Sequence, residues 1–180
     1  MAPINYATLK KNLQVDNLNN FINFIETGTY HGNTIFGMED HFEKLYTIEV
    51  KKQFYNECKN KYNGNKIKFY LGDSGDILGD ICKEIEGKTI IWLDGHYGGG
   101  THGKGKKNCP LVEELKHIIN HLQYEVIIII DDFRCFGTNI MPLKKKDLDK
   151  IVSKRLIKSY NFPSCHTKDD RLVYHISDNN

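Results

Sequence analysis

Residues 126–132, VIIIIDD, place five β-branched residues in consecutive positions and end on two carboxylates. A strand with one face in water alternates apolar and polar side chains. This one is apolar without interruption, so both of its faces must be covered, as in a parallel sheet clothed by helices. FINFIE (21–26), LYTIEV (45–50), KIKFYL (66–71) and KTIIWLD (88–94) also read as strands. Between them, residues 51–62 put Phe54, Tyr55, Cys58 and Tyr62 on one helical face, and residues 75–85 do the same with Ile77, Leu78, Ile81, Cys82 and Ile85. Pro110 suits the first turn of a third helix, whose apolar face is Leu111, Val112, Leu115, Ile118, Ile119 and Leu122. DLDKIVSKRL, after residue 146, predicts one more helix, and IKSYNFPSCH and RLVYHI, joined by TKDD, predict a closing antiparallel hairpin. With 180 residues, 39% of them hydrophobic, the pattern predicts one α/β domain. Residues 1–20 are expected to form an N-terminal arm or helix ahead of a domain spanning 21–180.

The net charge of +2 gives no general attraction to nucleic acid or membrane. Five cysteines, odd in number and without a CxxC pair, argue against a disulfide scaffold or a four-cysteine zinc site and for a reducing compartment. The opening MAPINYATLKKNLQVDNLNN is too polar for a signal peptide, and the longest aliphatic run, Val126–Ile130, is too short to span a bilayer. A soluble, cytoplasmic protein is expected.

In an open α/β sheet, ligands bind outside the carboxyl ends of the strands. Those ends read Glu26-Thr27-Gly28, Glu49, Gly72-Asp73-Ser74, Asp94-Gly95-His96 and Asp131-Asp132, a carboxylate at each. Like charges gathered along one edge repel unless a cation, or a ligand rich in hydroxyls and amines, resolves them. In ETGTYHGNT, Gly28 and Gly32 lie four apart and open a helix, so backbone can approach a ligand closely. Glu26 ahead of them repels a pyrophosphate and welcomes a cationic amino acid. Glu49 stands where a carboxylate takes a ribose diol. The ligand so described has a ribose and a positive end.

The series E-x-G-x-x-x-G-x-T, an acid after the second strand, G-D-S after the third and an acid after the fourth resembles the class I S-adenosylmethionine-dependent methyltransferases over residues 20–177. The resemblance implies a single Rossmann-like α/β domain: a mostly parallel seven-stranded sheet with helices on both faces and an antiparallel C-terminal hairpin strand. It also implies S-adenosylmethionine as cofactor, with Glu26, Thr27, Gly28, Gly32 and Thr34 at its methionine end, Glu49 on the ribose, Asp73 and Ser74 at the adenine, and Asp94 in contact with it.

A narrower resemblance concerns Asp94 with Asp131 and Asp132. Hard cations such as Mg2+ take oxygen ligands, and the trio is similar to the metal site of magnesium-dependent O-methyltransferases. In the macrocin-type sugar O-methyltransferases the pattern is D-G-D followed by D-D, the second acid of the first motif serving as base. Here D-G-H puts His96 in the base position. The catechol-type lysine is replaced by Tyr97. The resemblance implies Mg2+ on Asp94, Asp131 and Asp132, with Asp94 and His96 catalytic and a sugar or nucleotide-sugar hydroxyl as acceptor. Tyr97, Phe133, Arg134 and Phe136 are expected to line the acceptor site, helped by a second subunit if the chain is a homo-oligomer. A phenolic acceptor, RNA, or cofactor binding without catalysis are the alternatives.

Other signals carry less. His117 and His121 sit four apart on a helix, but their wheel positions point to water and Ile118 stands where a zinc protease needs glutamate. The glycine-rich stretch 98–105 lacks the Walker pattern and is expected to form a mobile cover over the acceptor. Lys104, Lys106, Lys107 and the basic run from Lys144 suit a solvated face, and no N-P-P-Y-like motif of base methylation follows the fourth strand. Nucleic acid and membrane are not expected partners.

Overall fold

A computed structural model describes residues 3–100, 102–139 and 141–179. Its strands are β1 (Asn23–Thr27), β2 (Lys44–Glu49), β3 (Ile67–Leu71), β4 (Thr89–Leu93), β5 (Val126–Ile130), β6 (Leu156–Phe162) and β7 (Arg171–Ile176). They form one sheet in the order β3-β2-β1-β4-β5-β7-β6. Every pairing is parallel except those of β7 with β5 and β6. The expected α/β class, mostly parallel with an antiparallel C-terminal hairpin, is what the chain builds.

The uninterrupted apolar strands are buried on both faces, because alternate residues serve two separate cores. Ile25, Ile48, Ile91, Leu93, Ile128 and Ile130 face one core together with Leu78, Ile81, Leu115, Ile118, Leu148 and Val152. Those partners come from α4 (Ser74–Glu84), α5 (Leu111–His121) and α6 (Lys145–Val152). Phe24, Leu45, Ile90, Trp92, Ile127 and Ile129 face the other core with Leu9, Ile35 and Met38, which belong to α1 (Tyr6–Asn12) and α2 (Asn33–Met38). The remaining helix, α3 (Lys52–Lys61), packs on β2 and β3 and buries Phe54 and Cys58.

Some boundaries move. Phe21 and Ile22 precede β1, because Phe21 closes a short 3-10 turn at Leu18–Asn20. Asn5 caps α1 by accepting from the Thr8 amide at 2.9 Å, and Ile4, Leu9 and Leu13 pack the early chain onto the second core. The helix expected across DLDKIVSKRL ends at Val152. Arg155 instead turns inward and donates to the carbonyls of Ile119, Leu122, Tyr124 and Ser177, satisfying one last-turn carbonyl of α5 and that of its C-cap. No helix among the described residues is long and apolar enough to cross a membrane.

The connections run from β1 outward through β2 to β3, then return to β4 on the other side of β1. That reversal opens a crevice between β1 and β4 at their carboxyl ends.

Candidate active site

A cleft of about 550 Å³ occupies this crevice, lined by Gly28, Glu49, Asp73, Ser74, Asp94 and His96, with His102, Gly103 and Gly105 from the loop after β4. Gly28 makes the crevice possible. Its φ is +85°, and a Cβ there would stand 2.5 Å from the Asp94 carbonyl oxygen, so only glycine lets the β1 loop pass the end of β4. A second hollow of about 330 Å³ joins the first at Gly28, Tyr30 and Asp94 and reaches Glu26 and Thr34. Of the nine residues expected to hold the cofactor, seven line these two hollows, and Thr27 and Gly32 do not.

Glu26 is 2% exposed and accepts from the Thr47 hydroxyl at 2.9 Å. Burial pushes its carboxyl up to about 8 against the pull of Thr47 and Thr34, with Glu49 adding to the rise. Glu49 accepts backbone N–H bonds from Tyr30 and Lys51, each at 2.8 Å. Asp73 accepts from the Gly75 amide at 2.9 Å as the N-cap of α4, and from the Lys106 amide at 2.7 Å. The loop after β4 therefore reaches back across the cleft to Asp73, and His102 stacks on Tyr30 with ring centroids 5.0 Å apart. The expected cover over the acceptor lies instead over the Glu49–Asp73 end.

At the ends of β4 and β5, Asp94, His96 and Asp132 come together, their potential ligand atoms all within 4.8 Å of one another. His96 Nε2 is 2.9 Å from Asp132 Oδ2, and its Nδ1 is 3.7 Å from Asp94 Oδ1. Asp94 Oδ1 is buried without a hydrogen-bond partner among the described residues. Burial, then the charges of Asp131 and Asp132, holds the Asp94 carboxyl well above the usual carboxylate range. Burial also raises Asp132, but the bonds and charges of His96 and Arg134 outweigh it and leave that group lowered.

Asp131 lies outside this trio but shares a second one, an oxygen of each of Asp131, Asp132 and Asp170 lying within 4.8 Å of the others. Its Oδ1 accepts from Arg171 Nε at 3.3 Å, and the Arg171 guanidinium lies 5.2 Å from the Trp92 ring centroid and 5.6 Å from that of Phe162. Of the expected metal trio, Asp94 meets Asp132 beside His96, and Asp131 meets Asp132 beside Asp170. An orphaned buried oxygen beside an imidazole and a second carboxylate fits a divalent cation.

The residues expected around the acceptor are differently employed. Arg134 pairs with Asp132 at 2.6 Å and with the fully buried Asp170. Phe133 and Phe136, 4.7 Å apart, pack against the first core. Tyr97 bonds through its amide to the Asn108 carbonyl at 2.6 Å and carries Lys104 over its ring. None of these four lines the two hollows. His117 rests on α4, its Nε2 2.8 Å from the Gly75 carbonyl, and does not point into water.

Glu114 escaped the sequence reading. It is 1% exposed, and burial pushes its carboxyl up to about 7, against the nearby Ser74 and Thr27 hydroxyls. Glu114 Oε1 and Thr27 Oγ1 are buried and both lack a hydrogen-bond partner among the described residues. The sequence signal was available: an acid three residues after Leu111, inside the apolar stripe of α5.

No protein-family model and no curated protein matches the sequence. Solved structures do match. A putative S-adenosylmethionine-dependent methyltransferase from Listeria monocytogenes superposes with a TM-score of 0.59 at 12% identity, covering 97% of this chain and 98% of that one. The fold is that of the class I S-adenosylmethionine-dependent methyltransferases. An rRNA methylase from Streptococcus thermophilus matches with TM-score 0.54 at 14% identity, over 88% of this chain and 87% of that one. The N-methyltransferase NodS from Bradyrhizobium japonicum WM9, solved with S-adenosyl-L-homocysteine, matches with TM-score 0.53 at 11% identity, over 88% and 78%. One fold thus serves proteins named for different acceptors, and function must be argued from the site.

Proposed function

We propose that the protein is an S-adenosylmethionine-dependent O-methyltransferase acting on a hydroxyl of a sugar, either nucleotide-linked or within a glycan. The observation that carries this reading is the charge of the cleft. Glu49, Asp73 and Asp94 line it, while its one lining lysine, Lys107, is already paired with Glu113. Such a wall disfavours a polyphosphate and suits a ligand with a ribose diol and a sulfonium or ammonium.

In this reading Glu26, Thr27, Gly28, Gly32 and Thr34 hold the methionine end. Glu49 keeps lone pairs for the ribose hydroxyls after accepting its two amides, and Asp73 with Ser74 borders the adenine. Asp94 belongs to both the cofactor cleft and the cluster with His96 and Asp132, so methyl donor and acceptor meet at its side chain. A divalent cation bound there supplies acidification of an alcohol whose own pKa lies far above neutrality. His96 and Asp132 orient the acceptor side of the site, and Arg134 fixes Asp132 from behind. A vicinal diol, the common pattern of sugars, offers two adjacent oxygens to such a cluster.

The test is transfer of radiolabelled methyl from S-adenosylmethionine to a panel of nucleotide sugars, catechols and RNA. Label in a sugar hydroxyl supports the proposal. Label confined to catechol or RNA overturns the acceptor assignment.

A further inference from the structure

We propose that Asp94, His96 and Asp132 form a mixed nitrogen–oxygen site for a divalent first-row transition ion such as Mn2+, in place of the all-oxygen Mg2+ site that Asp94, Asp131 and Asp132 would make. The inference deepens the reading of this same site as the acceptor side of a methyltransferase and rests on it.

Three observations carry it. His96 is withdrawn from solvent, its side chain 6% exposed, and each ring nitrogen faces a carboxylate oxygen. A histidine acting as an isolated base needs one nitrogen open to the acceptor, whereas a ligand histidine sits among acids in this way. Next, Asp94 Oδ1 lies in the cluster, buried and without a donor among the described residues, in a side chain only 5% exposed. A carboxylate oxygen so placed is costly unless a cation meets it. Finally, Asp131 is held by Arg171, whose guanidinium is fixed between Trp92, Phe162 and the Pro163 carbonyl.

The arginines are placed to match. Arg171 meets Asp131, and Arg134 is shared by Asp132 and Asp170. Asp94 faces His96 across 3.7 Å. An imidazole among the donors then selects the ion. Mg2+ demands oxygen and gives up water reluctantly, while Mn2+, although the most oxygen-preferring of the first-row ions, tolerates an imidazole among its ligands, and the later ions favour one.

The experiment uses the full chain and Mn2+ followed by electron paramagnetic resonance, with Mg2+ as competitor. One Mn2+ should bind at least about tenfold more tightly than Mg2+, and its spin-echo modulation should show one coordinated nitrogen. His96→Ala should erase the nitrogen signal and weaken Mn2+ by roughly 10- to 100-fold, as should Asp132→Asn in affinity alone. Asp131→Asn, which keeps an acceptor for Arg171, should weaken Mn2+ clearly less than Asp132→Asn does.

No Mn2+ binding, equal affinity for Mg2+, a nitrogen signal that survives His96→Ala, or an Asp131→Asn loss as large as that of Asp132→Asn each overturns the inference. Circular dichroism and S-adenosylhomocysteine binding of every variant separate lost ligands from lost folding. Cofactor binding without Mn2+ binding sinks this inference alone; Mn2+ binding without cofactor binding sinks the methyltransferase reading instead.

Discussion

His96 and Asp132 join the ends of β4 and β5 through a 2.9 Å contact between Nε2 and Oδ2, with 6% and 14% of their side chains exposed. The two strands are already paired from Thr89–Val126 to Leu93–Ile130, so the contact extends their register into the loops that carry the site. Hydrogen bonds to charged groups contribute about 1.5–3 kcal/mol when shielded from water. A double-mutant cycle with His96→Ala and Asp132→Asn, followed by urea denaturation, should give a coupling of that size. A coupling near zero would mean that the two side chains do not sense each other.

Gly28→Ala tests how closely the β1 loop must pass β4. The added methyl would stand 2.5 Å from the Asp94 carbonyl oxygen, on a residue whose φ is +85°. The backbone conformation alone costs about 1–3 kcal/mol, and relieving the clash pushes the cleft walls apart. Denaturation should show that loss, and calorimetry should show at least about tenfold weaker S-adenosylhomocysteine binding. Unchanged affinity would place the cofactor elsewhere.

Gly105→Ala addresses the loop after β4. A Cβ at Gly105 would approach Asp73 Oδ2 to 2.3 Å, next to the amide of Lys106 that bonds the same oxygen. The Asp73 carboxylate or the loop must then shift, which weakens the bond that seats the loop over the cleft. Stopped-flow measurement should show S-adenosylhomocysteine leaving roughly five to ten times faster with little change in association.

Stability should fall as pH rises. Glu26 keeps its proton in the native state up to about 8, against an ordinary value of 4.5. The native state therefore binds one more proton than the unfolded chain between those limits, and each pH unit there removes about 1.4 kcal/mol. Glu114, raised to about 7, adds to the slope between 4.5 and 7. Glu26→Gln should flatten the slope by one proton, measured by urea denaturation from pH 5 to 8.5. A cationic ligand that ionises Glu26 should also release a proton on binding at pH 7, visible as a binding enthalpy that depends on the buffer.

Much of the scaffold was legible because burial on both faces leaves an unmistakable pattern. Val126–Ile130 and Thr89–Leu93 are wholly buried and read as strands from five residues each. Edge strands were readable more from position than from pattern, since β3 and β6 are mostly half-exposed. The strand-end acids were legible one by one, but their pairing was not. Adjacent residues Asp131 and Asp132 look alike in sequence, yet the left-handed backbone at Asp132, φ 56°, sends one to Arg171 and the other to His96. Arg134 and Asp170, 36 apart, meet only because β7 runs antiparallel beside β5. Glu114 stands in the first turn of α5, where an acid is ordinary, and only the fold shows that it is buried.

Equilibrium titration of the full chain with S-adenosylhomocysteine reaches the proposal at its root. One molecule should bind per chain, with a Kd on the order of micromolar, and Glu49→Ala should weaken it at least about tenfold while leaving the fold intact. No binding at millimolar ligand, or binding indifferent to Glu49→Ala, would contradict a cofactor site in the cleft between β1 and β4.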